Sequence, residues 1–327
     1  MTGAPLPVGV VGVGSLGCHH ARLYASLPGV QLRGVFDTRA ERAAEIAAQF
    51  KTRAYPSLEA LLADVEAVSV VVPTPAHHEV GLAALGRGRH VLMEKPIAAQ
   101  IGQAEALVAA AAKAGVVLQT GHVERFNRAL RAAAPYLASP RFIESDRVAP
   151  FAARGSDVAV ILDLMIHDLD LVLALVGEPV VDVRASGIGV VTPSVDIATA
   201  RIEFASGAVA NLTASRLARD RVRKLRIFQP SGYFSLDLAA GKGEFLRLKP
   251  DAQRQLAAGV TDLVKLVERV SLSAPDAEPL GLELANFVQA ARGEGAPAVT
   301  GRDGLSALAL AFRVMEAVGS PAALQGA

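Results

Sequence analysis

The chain commits itself early: Val8-Gly9-Val10-Val11 runs into Gly12-x-Gly14-x-x-Gly17, and Leu16 to Ala25 then carries apolar residues at helical spacing until Pro28. A β run, a glycine turn and a helix in immediate succession predict the opening of a doubly wound sheet. Glycine is required three times in such a turn: for the tight bend, for close approach of backbone to a pyrophosphate, and for close packing of helix on strand. The free N–H groups of Ser15 and Leu16 at the start of the helix would then hold phosphate oxygens. A second β run, Gln31 to Phe36, ends in Asp37, 20 residues beyond Gly17, where an acid meets the adenosine ribose of a dinucleotide. An anionic Asp37 repels a 2′-phosphate, so NAD is expected over NADP, with Arg39 close enough to meet the same end of the cofactor.

Strand and helix patterns alternate as far as Thr120, with β runs at Ala67 to Val72, His90 to Met93 and Val116 to Thr120. The runs are continuously apolar, as in a parallel sheet covered on both faces. Ligands bind beyond the carboxyl ends of such strands, which singles out Gly12 to Leu16, Asp37, Pro73-Thr74, Glu94-Lys95-Pro96 and Gly121-His122. With 327 residues the chain exceeds what one core holds, and the pattern changes after Gly121. The division expected is residues 1–121, a cofactor domain, and 122–327, a substrate domain that also mediates oligomerisation.

In the second part a helix is expected at Glu124 to Leu137, a strand at Arg141 to Val148, and a long helix at Val158 to Val176. Five or six β runs follow between Val180 and Leu248 without intervening helices, which predicts an antiparallel sheet with helices on one face. A second subunit is a natural cover for the other face. Leu263, Leu266, Val267 and Val270 keep helical spacing, and helices close the chain at Leu280 to Arg292 and Gly304 to Val318. The fold class is therefore α/β: a doubly wound parallel sheet followed by an α+β domain with a large, open-faced, mainly antiparallel sheet.

Composition removes several function classes. Formal charge is +1 with both signs interspersed, which gives no electrostatic case for nucleic acid or an acidic membrane. Cys18 is the only cysteine, so an internal disulfide and a cysteine-rich zinc site are excluded and a reducing, cytoplasmic setting fits. No metal is expected: the adjacent pairs His19-His20 and His77-His78 point to different sides of a helix and cannot chelate one ion. The start lacks a basic n-region before its apolar run, so no signal peptide is expected, and no apolar run is long enough for a membrane span. A short-chain dehydrogenase is excluded, because none of Tyr24, Tyr55, Tyr136 or Tyr233 has lysine four residues on.

Two groups of residues can do chemistry. The chain has 26 arginines against seven lysines, so Lys95 at a strand end stands out; lysine can lose its proton where arginine cannot. On the long helix, Asp163, His167 and Asp170 share one edge beside an apolar stripe, while Asp168 falls about 100° from His167 and has a different job. A histidine flanked by a carboxylate one turn away is arranged for proton transfer, although the same spacing also makes an ordinary surface ion pair. His19, His20, His78 and His90 are read as packing or surface residues.

Gly12-x-Gly14-x-x-Gly17, Pro73-Thr74-Pro75-Ala76-His77, Glu94-Lys95-Pro96, Gly121-His122-x-Glu124-Arg125-Phe126-Asn127 and Asp163-x-x-x-His167 occur in this order in the glucose-fructose oxidoreductase / inositol dehydrogenase (Gfo/Idh/MocA) family, which the chain resembles over nearly its whole length. The resemblance implies a Rossmann domain plus a sheet domain that buries its free face in a homodimer or homotetramer. It implies Lys95 and His167 as the catalytic pair with Asp163 beside the substrate, and places His77 near the cofactor; Glu94, also expected at the cofactor, and Pro96 would set the position of Lys95 against the nicotinamide. Glu124, Arg125 and Asn127 lie in the motif that looks most like the family's UDP-N-acetylglucosamine 3-dehydrogenase branch, with Arg128 where that branch usually has proline. Oxidation of a sugar secondary alcohol, C3 of a UDP-N-acetylhexosamine, is then the expectation, with Arg125 and Arg154 among the cations for its diphosphate. A free polyol such as an inositol is the alternative substrate, and a regulatory NAD-binding protein without turnover the alternative class.

Overall fold

The computed structural model describes residues 4–152 and 158–319. They fall into two compact units, Met1–Val123 with Ala277–Leu308, and Glu124–Asp276 with Ala309–Ala327.

The first unit is built on β1 (Leu6–Val11), α1 (Gly17–Tyr24), β2 (Val30–Phe36), α2 (Ala40–Gln49), β3 (Arg53–Ala54), α3 (Leu58–Ala63), β4 (Ala67–Val70), α4 (His77–Leu85), β5 (His90–Glu94), α5 (Ile101–Ala114) and β6 (Leu118–Gly121). Its six strands are all parallel in the order β3-β2-β1-β4-β5-β6, so the order reverses beside β1, at the glycine turn. Val8, Val10, Val35, Ala67, Val68, Val91 and Leu92 are wholly buried, as strands covered on both faces must be. The pattern change at residue 121 carries no sign that Ala277–Leu308 returns to this unit. It returns because Leu284, Phe287 and Val288 complete the core formed by Ala21 and Tyr24 of α1.

The second unit contains α6 (Arg128–Ala133), β7 (Phe142–Val148), α7 (Ile166–Val176), β8 (Val180–Ile188), β9 (Ile197–Phe204), β10 (Val209–Ser215), β11 (Val222–Gln229), β12 (Gly232–Asp237), β13 (Lys242–Leu248), α8 (Ala252–Ala257), α9 (Leu263–Leu266) and β14 (Val267–Ser271). The chain closes with α10 (Pro279–Ala291) and α11 (Gly301–Val318). The eight strands run β14-β13-β12-β11-β7-β10-β9-β8; β7 and β10 are parallel and every other pairing is antiparallel. One face is covered: α6 packs on β12 and β13, and α7 on β7. Phe234 and Phe245 stack there with ring centroids 4.2 Å apart, and burying each contributes roughly 1.5–3 kcal/mol. The opposite face alternates Asp146, Lys224, Asp237 and Lys242 along one row of cross-strand neighbours.

Three expectations are corrected. Leu263 to Val270 is not one helix: α9 ends at Leu266, and Val267–Ser271 becomes an edge strand on β13. Four apolar residues at that spacing fit either structure, and the cross-strand ion pairs Arg247–Glu268 and Arg269–Glu244 favour the strand. The helix expected at Glu124 to Leu137 is broken into a 3₁₀ turn, α6 and a second 3₁₀ turn. Asn127 caps α6 by accepting the Ala129 N–H, and Pro135 tightens its end. The long helix expected from Val158 carries a π turn over Ile161–Met165 before α7.

Candidate functional site

In the first unit, Gly12 takes φ +82°, and a Cβ there would meet the Val71 carbonyl oxygen at 2.7 Å. A Cβ at Gly17 would lie 1.9 Å from the Gly12 oxygen, so the helix can begin this close to the strand only with glycine. A Cβ at Gly14 would meet nothing within 4 Å, so this stretch of backbone faces open space, flanked by exposed Ser15 and Leu16. That is the cradle a pyrophosphate needs. Beside it the Asp37 carboxylate accepts the Val13 N–H at 2.9 Å through one oxygen and the Arg39 N–H at 3.0 Å through the other. Each oxygen keeps acceptor capacity for a ribose hydroxyl. The Arg39 side chain is 69% exposed, with Nε 3.5 Å from Asp37. Arg42, unmarked in the sequence, reaches from α2 to donate to the Val13 carbonyl at 2.8 Å and the Gly14 carbonyl at 3.4 Å, fixing the turn from outside. These residues fit a dinucleotide.

The other strand ends of this unit carry the remaining motifs. Pro73 is exposed, and Thr74 opens a 3₁₀ turn that leads into α4. His77 is buried, its Nε2 2.9 Å from the Val72 carbonyl oxygen and its Nδ1 2.9 Å from that of Pro96. Its ring therefore ties the loop after β4 to the loop after β5. Burial pulls the His77 pKa down, against those carbonyls and the charge of Glu94. Lys95 is half-buried at the end of β5. Glu94 before it is buried, with Oε1 3.2 Å from His20 Nε2 and Oε2 accepting the Lys95 N–H at 3.2 Å. His20, read from the sequence as packing, thus has a polar partner beside Lys95.

In the second unit, Asp163 lies in the π turn and His167 in the first turn of α7, both half-buried. Asp170, expected on the same edge, is instead buried and held bidentately by Arg125 at 2.6 and 2.8 Å. Asp168 has the separate role expected of it: its carboxylate takes Arg147 at 2.7 and 3.0 Å and the Ser145 hydroxyl at 2.9 Å. Arg147 also donates to Glu124 at 2.8 Å, and Glu124 accepts from Arg223 at 3.0 Å and Asn127 at 2.9 Å. Burial pulls the Arg147 pKa down, but Asp168 and Glu124 reverse this and raise it above the ordinary arginine value. Glu124 and Asn127 are thereby committed to protein partners, while Arg125, 19% exposed, retains further N–H donors. The network pins α7, and with it His167, to β7 and to the turn before α6. A sequence signal for it existed: the inward positions of β7 read Ile143, Ser145, Arg147, and an inward arginine demands a buried acid. Arg154 lies outside the described residues.

Among the described residues no cluster of three or more His, Cys, Asp or Glu side chains is placed to hold a metal, and no helix is long and apolar enough to cross a membrane. The profile of the GFO/IDH/MocA oxidoreductase family, NAD-binding Rossmann fold, matches residues 6–122, and that of the family's C-terminal domain matches residues 140–235. The chain is 48% identical over 234 residues to the UDP-N-acetylglucosamine 3-dehydrogenase of Acidithiobacillus ferrooxidans, covering 70% of this chain and 73% of that one. A solved structure of a UDP-N-acetylglucosamine 3-dehydrogenase from the same organism superposes with a TM-score of 0.86 at 40% identity, over 96% of this chain and 98% of the other. A myo-inositol 2-dehydrogenase of Thermotoga maritima is 27% identical over 93% of this chain and 94% of its own length.

Proposed function

This chain belongs to the GFO/IDH/MocA oxidoreductase family, and on that premise we propose that it is an NAD-dependent dehydrogenase of a sugar secondary alcohol, C3 of a UDP-N-acetylhexosamine. The observation that carries the substrate class is the 48% identity to a UDP-N-acetylglucosamine 3-dehydrogenase across 234 residues. NAD rather than NADP follows from Asp37, whose carboxylate accepts ribose hydroxyls and repels a 2′-phosphate. Gly12, Gly14, Ser15, Leu16 and Gly17 cradle the pyrophosphate, Arg39 borders the adenosine end, and Pro73, Thr74, His77 and Glu94 frame the nicotinamide end.

Bound NAD supplies the hydride acceptor. His167, with Asp163 beside it, takes the proton of the substrate hydroxyl, and Lys95 polarises the oxygen and stabilises its developing charge; the reverse assignment of base gives the same products. Arg125 and Arg154 meet the diphosphate, and Glu124 and Asn127 act by holding this segment in shape. A second copy of the chain covers the open sheet face, whose alternating row Asp146, Lys224, Asp237, Lys242 is self-complementary in charge. The lone cysteine fits a reducing cytoplasm. Oxidation of a free inositol is the second reading, supported by the inositol dehydrogenase that matches 93% of the chain.

The test is Lys95→Ala and His167→Ala, each measured for NAD affinity and turnover. Both should lower kcat by roughly two to four orders of magnitude while leaving NAD affinity nearly intact. Near wild-type turnover in either variant overturns its role.

A further inference from the structure

His20 is wholly buried on α1, at a position where its neighbours Ala21 and Tyr24 serve the core. Burying an imidazole there costs free energy unless it is paired, and its Nε2 meets the Glu94 carboxylate at 3.2 Å. The other Glu94 oxygen accepts the N–H of Lys95, the peptide from which that side chain springs. On the far side a Cβ at Gly121 would stand 3.1 Å from all three atoms of the carboxyl group, so β6 closes around Glu94 and a glycine leaves it room. Beyond Lys95 the Pro96 carbonyl faces His77. Lys95 is thus held on both flanks, and the Glu94 side depends on His20.

We propose that His20 is a positioning residue for Lys95, acting through Glu94, so that one contact sets the lysine against the helix that follows the glycine turn. The proposal rests on the reading of Lys95 as catalytic. The titratable or charged groups facing Glu94 are His20 from α1, Lys95 at its own strand end and His77 from α4; β6 contributes Gly121. Burial pushes the Glu94 carboxyl up, and the hydrogen bond and charge of His20, with the charge of Lys95, more than offset this and hold it below the ordinary carboxylate range. Without His20 the burial effect is left opposed mainly by Lys95. Glu94 then takes up a proton at higher pH than before, and its hold on the Lys95 peptide weakens as pH falls.

The experiment follows the Glu94 side-chain carboxyl carbon by ¹³C NMR against pH in the full-length protein, assigned with Glu94→Gln, for wild type, His20→Leu and His20→Gln. NAD affinity and the pH profile of kcat are measured in parallel. His20→Leu should raise the Glu94 midpoint by about one pH unit or more. It should move the acid limb of kcat up with it and lower turnover at neutral pH roughly ten-fold with little change in NAD affinity. His20→Gln, whose amide donates from nearly the same place but carries no charge, should recover part of each of the three changes, and His20→Ala replaces His20→Leu if that variant does not fold. A Glu94 midpoint unmoved by loss of His20, an unchanged acid limb, or a glutamine variant no better than leucine overturns the proposal. A midpoint that moves in a protein that oxidises no sugar supports the His20–Glu94 coupling and faults the dehydrogenase reading instead.

Discussion

Arg147→Leu removes a guanidinium that makes three hydrogen bonds to two buried carboxylates. Glu124 keeps Arg223 and Asn127, but among the described residues Asp168 keeps only the Ser145 hydroxyl as a side-chain hydrogen-bond donor. Removing one partner of a buried ion pair costs about 3–5 kcal/mol, because the charge left behind is neither hydrated nor matched. The loss at neutral pH should fall in that range, read from urea unfolding at unchanged m-value. Adding Asp168→Asn should recover about half of the loss at neutral pH, since a neutral amide costs less to bury than an unmatched charge. Because Asp168 follows His167 on α7, kcat should fall as well. A loss under about 1 kcal/mol would refute the claim that this network holds the helix.

Asp37→Ser should weaken NAD and improve NADP, seen as a reversal in the ratio of kcat/KM for the two cofactors; an unchanged ratio removes Asp37 from the ribose site. Gly17→Ala puts a methyl 1.9 Å from a backbone oxygen that cannot move aside, so NADH binding followed by fluorescence titration should weaken at least roughly ten-fold. Asp196 is buried in the loop after β8, where it accepts the N–H groups of Val190, Val191 and Thr192 and the Thr192 hydroxyl. Burial pushes its carboxyl up, but those bonds prevail and hold it at about 2. With its folded pKa depressed, Asp196 contributes stability that is present above about pH 4 and lost as pH falls toward 2. Asp196→Ala should flatten the acid end of the stability profile, measured by thermal unfolding.

The parallel sheet was legible because its strands are covered on both faces and so appear as unbroken apolar runs between glycine and proline signals. The glycine turn was legible because steric exclusion at Gly12 and Gly17 permits no other residue. The return of α10 to the first core was not: Leu284, Phe287 and Val288 mark a buried face, and amphipathicity does not say against what. β14 was misread because an edge strand needs a partner to be recognised, and its partner β13 supplies the ion pairs that fix it. At the candidate site, Lys95 and His167 were chosen from type and spacing, whereas His20, Arg42 and Arg147 escaped because their roles lie in contacts with residues far along the chain. Asp170 illustrates the same limit, since its place on the helical edge was visible but its bond to Arg125 was not.

The most direct test of the central claim is hydride transfer itself: the purified protein, NAD and a panel of UDP-N-acetylhexosamines and free inositols, followed by the absorbance of reduced nicotinamide. The predicted result is reduction of NAD by a UDP-N-acetylhexosamine, with the oxidised product a 3-keto sugar nucleotide and free inositols far slower. Reduction driven by inositols and not by the nucleotide sugar would contradict the substrate assigned here, and no reduction with any sugar would contradict the dehydrogenase reading.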